Sequence, residues 1–387
     1  MMRSRLSLTA LLAAGLFLSA PALRAQREVS VPALQAQKEA CGGFLDQLIA
    51  HFAQWDLDHN GELSVSELDA AVSDPQTTGE SAAVIVALKR ATHNKKFTVS
   101  ALTRENLRML ALAAPFADRP NLPLMYVDAR KKIEKTRRDL FVSGAPKLEN
   151  IRQGKLGDCF CLAPLGAMLA RNPQEVMDRF VRQPDNSYQF VFGTSPVHVT
   201  VPTDAEMALT AGSEQDGLWV SLYEKAVGTA RLLEKPGMTS PGSVIDALGK
   251  GGSSGTILSR LTGHKITRFA CRAAREGSAP GDREAQLQTL RKQLLATIQD
   301  HRLITCGTLK TTTPGITPNH AYAVLGYEEK TDTLRLWNPH GDDFMPKGTE
   351  SLEHGYARKG GVFSLPLSDF VMQFSGVAFE TSEPTAP

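Results

Sequence analysis

The chain of 387 residues carries 43 Lys and Arg against 41 Asp and Glu, a formal charge of +2, and 42% of it is apolar. That composition describes a globular protein and excludes both a disordered polyelectrolyte and a strongly basic nucleic-acid binder. Arg3, Arg5 and an apolar run over residues 6–20, followed by small cleavage candidates at Ala22 and Ala25, read as a secretory signal peptide over residues 1–25. The run is interrupted by Ser7, Thr9 and Ser19 and is shorter than the roughly 20 residues a bilayer span needs, so no stable membrane insertion is expected after cleavage. Setting residues 1–25 aside removes Arg3, Arg5 and Arg24, leaving 40 basic against 41 acidic residues and no electrostatic case for nucleic acid or membrane as partner. The expected location is exported, periplasmic or secreted, and the remaining chain is long enough for two or three domains.

From residue 35 to 112 the pattern is helical, with Phe44, Leu45, Leu48, Ile49, Phe52 and Trp55 recurring at three- and four-residue steps. Residues 113–139 carry Pro115, Pro120 and Pro123 and the basic run from Arg130 to Arg138, and read as a connector with one short helix. Beyond it, over 140–387, helical stretches at 160–171, 219–233 and 284–300 precede strand-like runs at 303–309, 320–327, 333–338 and 376–380. That order predicts an α+β domain with two lobes.

Within the helical segment, Asp56, Asp58, Asn60, Ser64 and Glu67 fall at positions one, three, five, nine and twelve of a twelve-residue loop, with Gly61 sixth. This is the EF-hand order, in which Glu62 supplies a backbone carbonyl and Glu67 closes the shell around Ca²⁺. Leu63 is expected to point into the core. A second, degenerate loop is predicted with Phe97 in the matching inward position, which places Arg90, Thr92 and Asn94 first and Ala101 last; it lacks the carboxylates to bind. Extracellular sites of this kind bind with constants of roughly 10⁻⁴ to 10⁻³ M, so a structural cation is expected rather than a signalling switch.

Five cysteines, at 41, 159, 161, 271 and 306, leave at least one free thiol in an exported chain, and the pairing of the others stays open. Cys159 follows the glycine-punctuated loop Gln153-Gly154-Lys155-Leu156-Gly157-Asp158 and opens a helical pattern. There the positive end of a helix favours a thiolate, and the Gln153 amide is positioned to donate to an oxyanion. Pro164 is expected to kink the helix entry. His320 opens one alternating run and Asn338 closes the next. A hairpin centred near Glu329 would set them opposite each other, with the Asn carbonyl orienting the imidazole.

These segments resemble calpain-like cysteine proteases. Gln153-Gly154-x-Leu156-Gly157-Asp158-Cys159 is similar to their nucleophile motif, His320-Ala321-Tyr322 to the histidine motif and Asn338-Pro339-x-Gly341 to the asparagine motif. Residues 218–226, 261–263 and 361–370 are similar to further stretches of the core. The resemblance spans about 140–387. It implies a papain-like two-lobe domain that hydrolyses protein or peptide substrates through a thioester, with Gln153 as the oxyanion glutamine. His340 stands where the family commonly has an aromatic, and Phe160-Cys161 where it has Trp-Phe. The EF-hand pair precedes the protease here, whereas in the familiar animal enzymes it follows. Intramolecular regulation by residues 26–140 is a further expectation. A transglutaminase-type acyltransferase is disfavoured by Asn338 and Gln153. A catalytically silent calcium-binding interaction protein of the same fold would be marked by loss of a triad residue, and none is lost.

Overall fold

The computed structural model describes residues 31–385 apart from 95, 98, 100, 114–115, 117, 143, 214–215, 235–242 and 278–280. The signal peptide expected at 1–25 lies outside the described residues. Five helices build a first core: α1 (Val31–Trp55), α2 (Val65–Ser73), α3 (Gly79–His93), α4 (Arg104–Leu112) and α5 (Leu122–Lys135). On α1, Phe44, Leu48, Phe52 and Trp55 recur on one face and are buried together against α3, whose own run from Ala82 to Leu88 is buried all round. Ser64 caps α2 in a box closed by Glu67, and Thr103 caps α4 through the Asn106 amide. The stretch read as a connector differs from expectation. Its helix α5 starts at an Asn121 cap and buries Leu122, Tyr126, Ala129 and Ile133 in the same core.

Two loops of this unit meet in a short antiparallel bridge, Glu62 with Thr103, and Leu63 N–H donates to Leu102 O at 3.2 Å. Leu102, not Phe97, is therefore the inward partner of Leu63. It precedes the Thr103 cap as Leu63 precedes the Ser64 cap, and both leucines are buried, while Phe97 is half-buried.

The larger part begins with α6 (Cys159–Arg171) and α7 (Pro173–Met177). A three-stranded antiparallel sheet that the sequence pattern did not reveal follows, β1 (Phe180–Arg182), β2 (Tyr188–Phe192) and β3 (Ser195–Val199). Helices α8 (Asp204–Leu209), α9 (Trp219–Leu233), α10 (Val244–Gly249) and α11 (Ser254–Thr262) complete the first lobe. The second lobe holds β4 (His264–Ala270), α12 (Cys271–Glu276), α13 (Asp282–Gln299), β5 (Ile304–Thr308), β6 (Ala321–Glu328), β7 (Thr333–Trp337), β8 (Val362–Pro366), α14 (Leu367–Gln373) and β9 (Phe374–Pro384). Its six strands run β4-β9-β5-β6-β7-β8, with antiparallel pairing throughout. Leu287, Leu290 and Leu294 of α13 and Phe370 and Val371 of α14 share one core with this sheet.

The β6–β7 hairpin is not centred where expected. Glu328 pairs with Thr333, and past a bulge near Leu325, Ala323 pairs with Trp337, so His320 and Asn338 are not in register. The turn spans four residues, with Asp332 at φ 50° and held by Tyr327 and Arg291, which moves the centre towards Asn338. All five cysteines are unpaired, with Cys161, Cys271 and Cys306 buried. Among the described residues no helix is long and apolar enough to cross a membrane.

Candidate active site and cation loop

Cys159 is the first residue of α6, after Asp158, and the helix runs through Pro164 to Arg171. The approach of α6 to the second lobe depends on Gly166. A Cβ there would stand 2.3 Å from Trp337 Cζ3, so only glycine lets the Cys159 helix lie against the strand that leads into Asn338. Cys159 and His320 line one cleft of about 580 Å³ between the lobes, whose floor and rim include Gly252, Ser253, Gly307 and Gly376. The Ala321 N–H points at Cys159 Sγ from 3.4 Å. No hydrogen bond joins the thiol to the His320 ring in this arrangement. Burial pushes the thiol pKa up; the Ala321, Phe160 and Cys159 N–H groups pull against it, and the Asp158 charge adds to the rise.

His320 and Asn338 lie just outside the ends of their strands, and their side chains meet across the offset register. His320 Nε2 lies 2.8 Å from Asn338 Oδ1. The orientation of the Asn338 amide is fixed twice, because Oδ1 also accepts from His340 N–H at 3.0 Å while Nδ2 donates to Thr317 Oγ1 at 3.4 Å. An acceptor on Nε2 requires Nε2–H, which leaves His320 Nδ1 unprotonated and available as a base. Burial, then the His340 charge, lowers the His320 pKa to about 3 against the opposing bond to Asn338. His320 is anchored through its backbone to Thr308 Oγ1 at 2.9 Å, and the Tyr322 ring meets it edge-on at 5.1 Å.

Gln153 reaches the site differently. Its backbone N–H bonds Pro339 O at 2.9 Å, tying the nucleophile loop to the asparagine loop. Its side-chain Nε2 donates to Leu156 O at 3.0 Å and Asp158 Oδ1 at 2.9 Å, so both amide hydrogens are engaged within the loop. His340 was not among the residues selected from sequence for a role. Its ring covers His320, and its position two residues after Asn338 was the available signal.

In the helical unit the carboxylates of Asp56, Asp58 and Glu67 converge, with ligand atoms within 4.8 Å of one another. Asn60 Oδ1 accepts from Glu62 N–H, Asp56 accepts from Asn60 and Gly61 N–H, and Ser64 Oγ donates to Glu67 Oε2 at 2.8 Å. Gly61 sits at φ 83°, the left-handed turn that the sixth loop position requires. Burial raises the Glu67 pKa, yet bonds from Ser64, Asp58 and Leu57 outweigh it and hold the carboxyl ionised. The donor set is all oxygen and fits a hard divalent cation. The expected mate loop presents Lys96, Phe97 and Val99 ahead of Leu102 and has no such cluster among the described residues.

The sequence family described as Calpain family cysteine protease matches residues 127–378, more than half of the chain. Calpain-13 of Rattus norvegicus is 27% identical over 228 residues, covering 52% of this chain and 30% of that protein, so the similarity spans under a third of the relative. The matched region contains the cleft with Cys159, the oriented His320 and Asn338, and on that footing the chain belongs to the calpain family of cysteine proteases.

Proposed function

We propose that this chain is an exported, calcium-associated cysteine endopeptidase. The observation that carries the reading is the His320–Asn338 pair at 2.8 Å, beside a cysteine at a helix N-terminus in one cleft. In this reaction His320 Nδ1 takes the proton of Cys159 Sγ as the sulfur attacks the scissile carbonyl carbon. The collapsing tetrahedral intermediate expels the amine, which receives that proton from the imidazolium, and leaves a thioester on Cys159. Water, deprotonated by His320, then hydrolyses the thioester and restores the thiol. Asn338 holds the ring direction through both protonation states. Gln153 serves the oxyanion once substrate draws one amide hydrogen away from Leu156 or Asp158.

The N-terminal helices act in this reading as an EF-hand pair with one binding loop. Bound Ca²⁺ would be held by Asp56, Asp58, Asn60, the Glu62 carbonyl, Ser64 and Glu67, and would tie the loop between α1 and α2 into one unit. Residues 1–25 direct export. Substrates are unfolded or extended polypeptides.

The test is hydrolysis of casein by the chain lacking residues 1–25, with Ca²⁺ and with chelator, beside Cys159→Ala. Activity lost in Cys159→Ala supports the reading. A folded protein without activity in either condition would overturn it in favour of a silent binding protein. That second reading is favoured by one observation, the Gln153 amide turned into its own loop.

A further inference from the structure

Immediately before the nucleophile, Asp158 is fully buried, and so is Glu224 of α9. Their carboxyls lie close enough to act on each other's ionisation. Asp158 Oδ1 accepts from Gln153 at 2.9 Å and Glu224 Oε2 accepts from Ala211 N–H at 2.6 Å, while Asp158 Oδ2 and Glu224 Oε1 have no other donor. A proton shared between those two oxygens satisfies both and leaves one negative charge on the pair. Lys132, from α5, supplies the opposite charge. Its Nζ donates to Thr210 O and, at 3.4 Å, to Ala208 O; the N–H of the Thr210–Ala211 peptide unit, on Ala211, is the donor to Glu224, so the ammonium charge acts on the pair across one peptide rather than by direct contact. The same helix buries Ala129 and Ile133 in the core of the N-terminal unit.

We propose that half-buried Lys132 and the buried Asp158 and Glu224 form a charge-balanced triad through which the N-terminal helical unit positions the nucleophile loop and sets the charge behind Cys159. One ammonium faces one carboxyl–carboxylate pair, so the site is neutral overall; a buried charge without its partner is the costly case. The groups facing this triad are Cys159 and Cys161 of α6, Tyr223 beside Glu224 on α9, and Arg90 of α3 near Lys132. Burial lowers the Lys132 pKa to about 8 and pushes both carboxyls up, in keeping with one proton retained between them at neutral pH. The triad contributes no atom to the reaction. Lys132 and Glu224 are positioning residues, and their role rests on the protease reading of Cys159.

The experiment follows the rate of Cys159 alkylation by iodoacetamide against pH, read by mass on the Cys159 peptide, together with casein kinetics, all on the chain lacking residues 1–25. In Lys132→Met the uncompensated carboxylate opposes the thiolate, so the alkylation midpoint moves up by about one unit and kcat falls about tenfold with KM unchanged. Glu224→Gln leaves the single negative charge on Asp158, whereas the double variant Asp158→Asn/Glu224→Gln removes it and moves the midpoint down. Lys132→Arg keeps the charge and stays close to the parent, and Lys131→Met on the same helix matches the parent. Midpoints that stay in place, or that move in the same direction for Lys132→Met and the double variant, overturn the proposal. Should Lys132→Met fail to fold, the downward shift of the double variant decides alone. Alkylation shifts of opposite sign without casein cleavage by any variant would uphold the triad and refute the protease reading separately.

Discussion

The His340 ring covers the His320 ring with centroids 4.4 Å apart and planes inclined by 30°. Asn338 Oδ1 serves both residues, taking the His320 Nε2 bond and the His340 backbone N–H. A base whose pKa is lowered to about 3 remains neutral across the acid range, and after burial the next cause of that lowering is the His340 charge. His340→Phe keeps the ring contact and removes the charge. The expected result is an acid limb of kcat/KM moved up by about one unit, because His320 then protonates at higher pH. A limb that stays in place would show that burial, with the Arg358 charge, sets the base without His340. The same shift bears on stability. The unfolded chain binds a proton at His320 below about pH 6.5 that the native state excludes until about pH 3, so stability falls as pH drops through that window.

Asn338→Ala removes the acceptor for two donors at a fully buried position. The expected cost is about 1–3 kcal/mol of stability and about a hundredfold in kcat, with KM little changed. Denaturant unfolding and steady-state kinetics measure the two separately, and a loss in KM alone would place Asn338 in substrate binding instead.

Gly166→Ala puts a methyl 2.3 Å from Trp337 Cζ3, where helix backbone and indole are both fixed by packing. Overpacking of this kind costs about 1–3 kcal/mol and should push α6 away from β7, lowering activity more than a surface Gly→Ala change does. Urea midpoints for Gly166→Ala against Gly326→Ala, whose added Cβ meets nothing within 4 Å, give the comparison.

Calcium should raise the melting temperature of the N-terminal unit. At a Ca²⁺ concentration ten times the dissociation constant the gain is about 1.4 kcal/mol. Asp56→Asn and Glu67→Gln should abolish the chelator-sensitive part of the melting curve. Glu67→Gln should also lower the metal-free midpoint, since the Glu67 carboxylate accepts from Ser64 N–H and Ser64 Oγ and closes the α2 capping box. Equal melting with and without chelator in the parent chain would remove the calcium reading.

Asp246 of α10 joins the two parts of the chain, lying 2.8 Å from His93 Nε2 and 3.1 Å from Lys89 Nζ. Burial acts to raise its pKa, but the His93 bond and the Lys89 charge outweigh it and lower the value well below the usual range. A depressed carboxylate contributes stability that is present above its unfolded pKa of about 4 and is lost as pH falls through the folded value. Asp246→Asn should therefore melt lower than the parent at pH 7, with the gap closing on acidification below about pH 4. A gap independent of pH would assign the effect to packing.

Much of the site was readable along the chain because its chemistry is local. The loop that delivers Cys159, the oxygen ligands spaced from Asp56 to Glu67 and the helix periods of α6, α9 and α13 each follow from neighbours within a few residues. The hairpin register was less legible, because a bulge near Leu325 and the Asp332 turn are decided by contacts with Arg291 and Tyr327. Phe97 was expected as the inward partner of Leu63, whereas the bridge follows the caps at Ser64 and Thr103 and selects Leu102.

The sequence by itself determined the order and identity of the candidate site residues, since thiol, imidazole and amide chemistry belong to the residue types and their motifs. Only the tertiary structure decided how their properties are tuned. Burial raises the Cys159 thiol and lowers the His320 imidazole, His340 sets a second titratable ring, itself lowered by burial, against His320, and α5, a connector by composition, brings Lys132 towards the loop before Cys159. Those effects depend on desolvation and on charges brought together from distant parts of the chain, which no local pattern encodes.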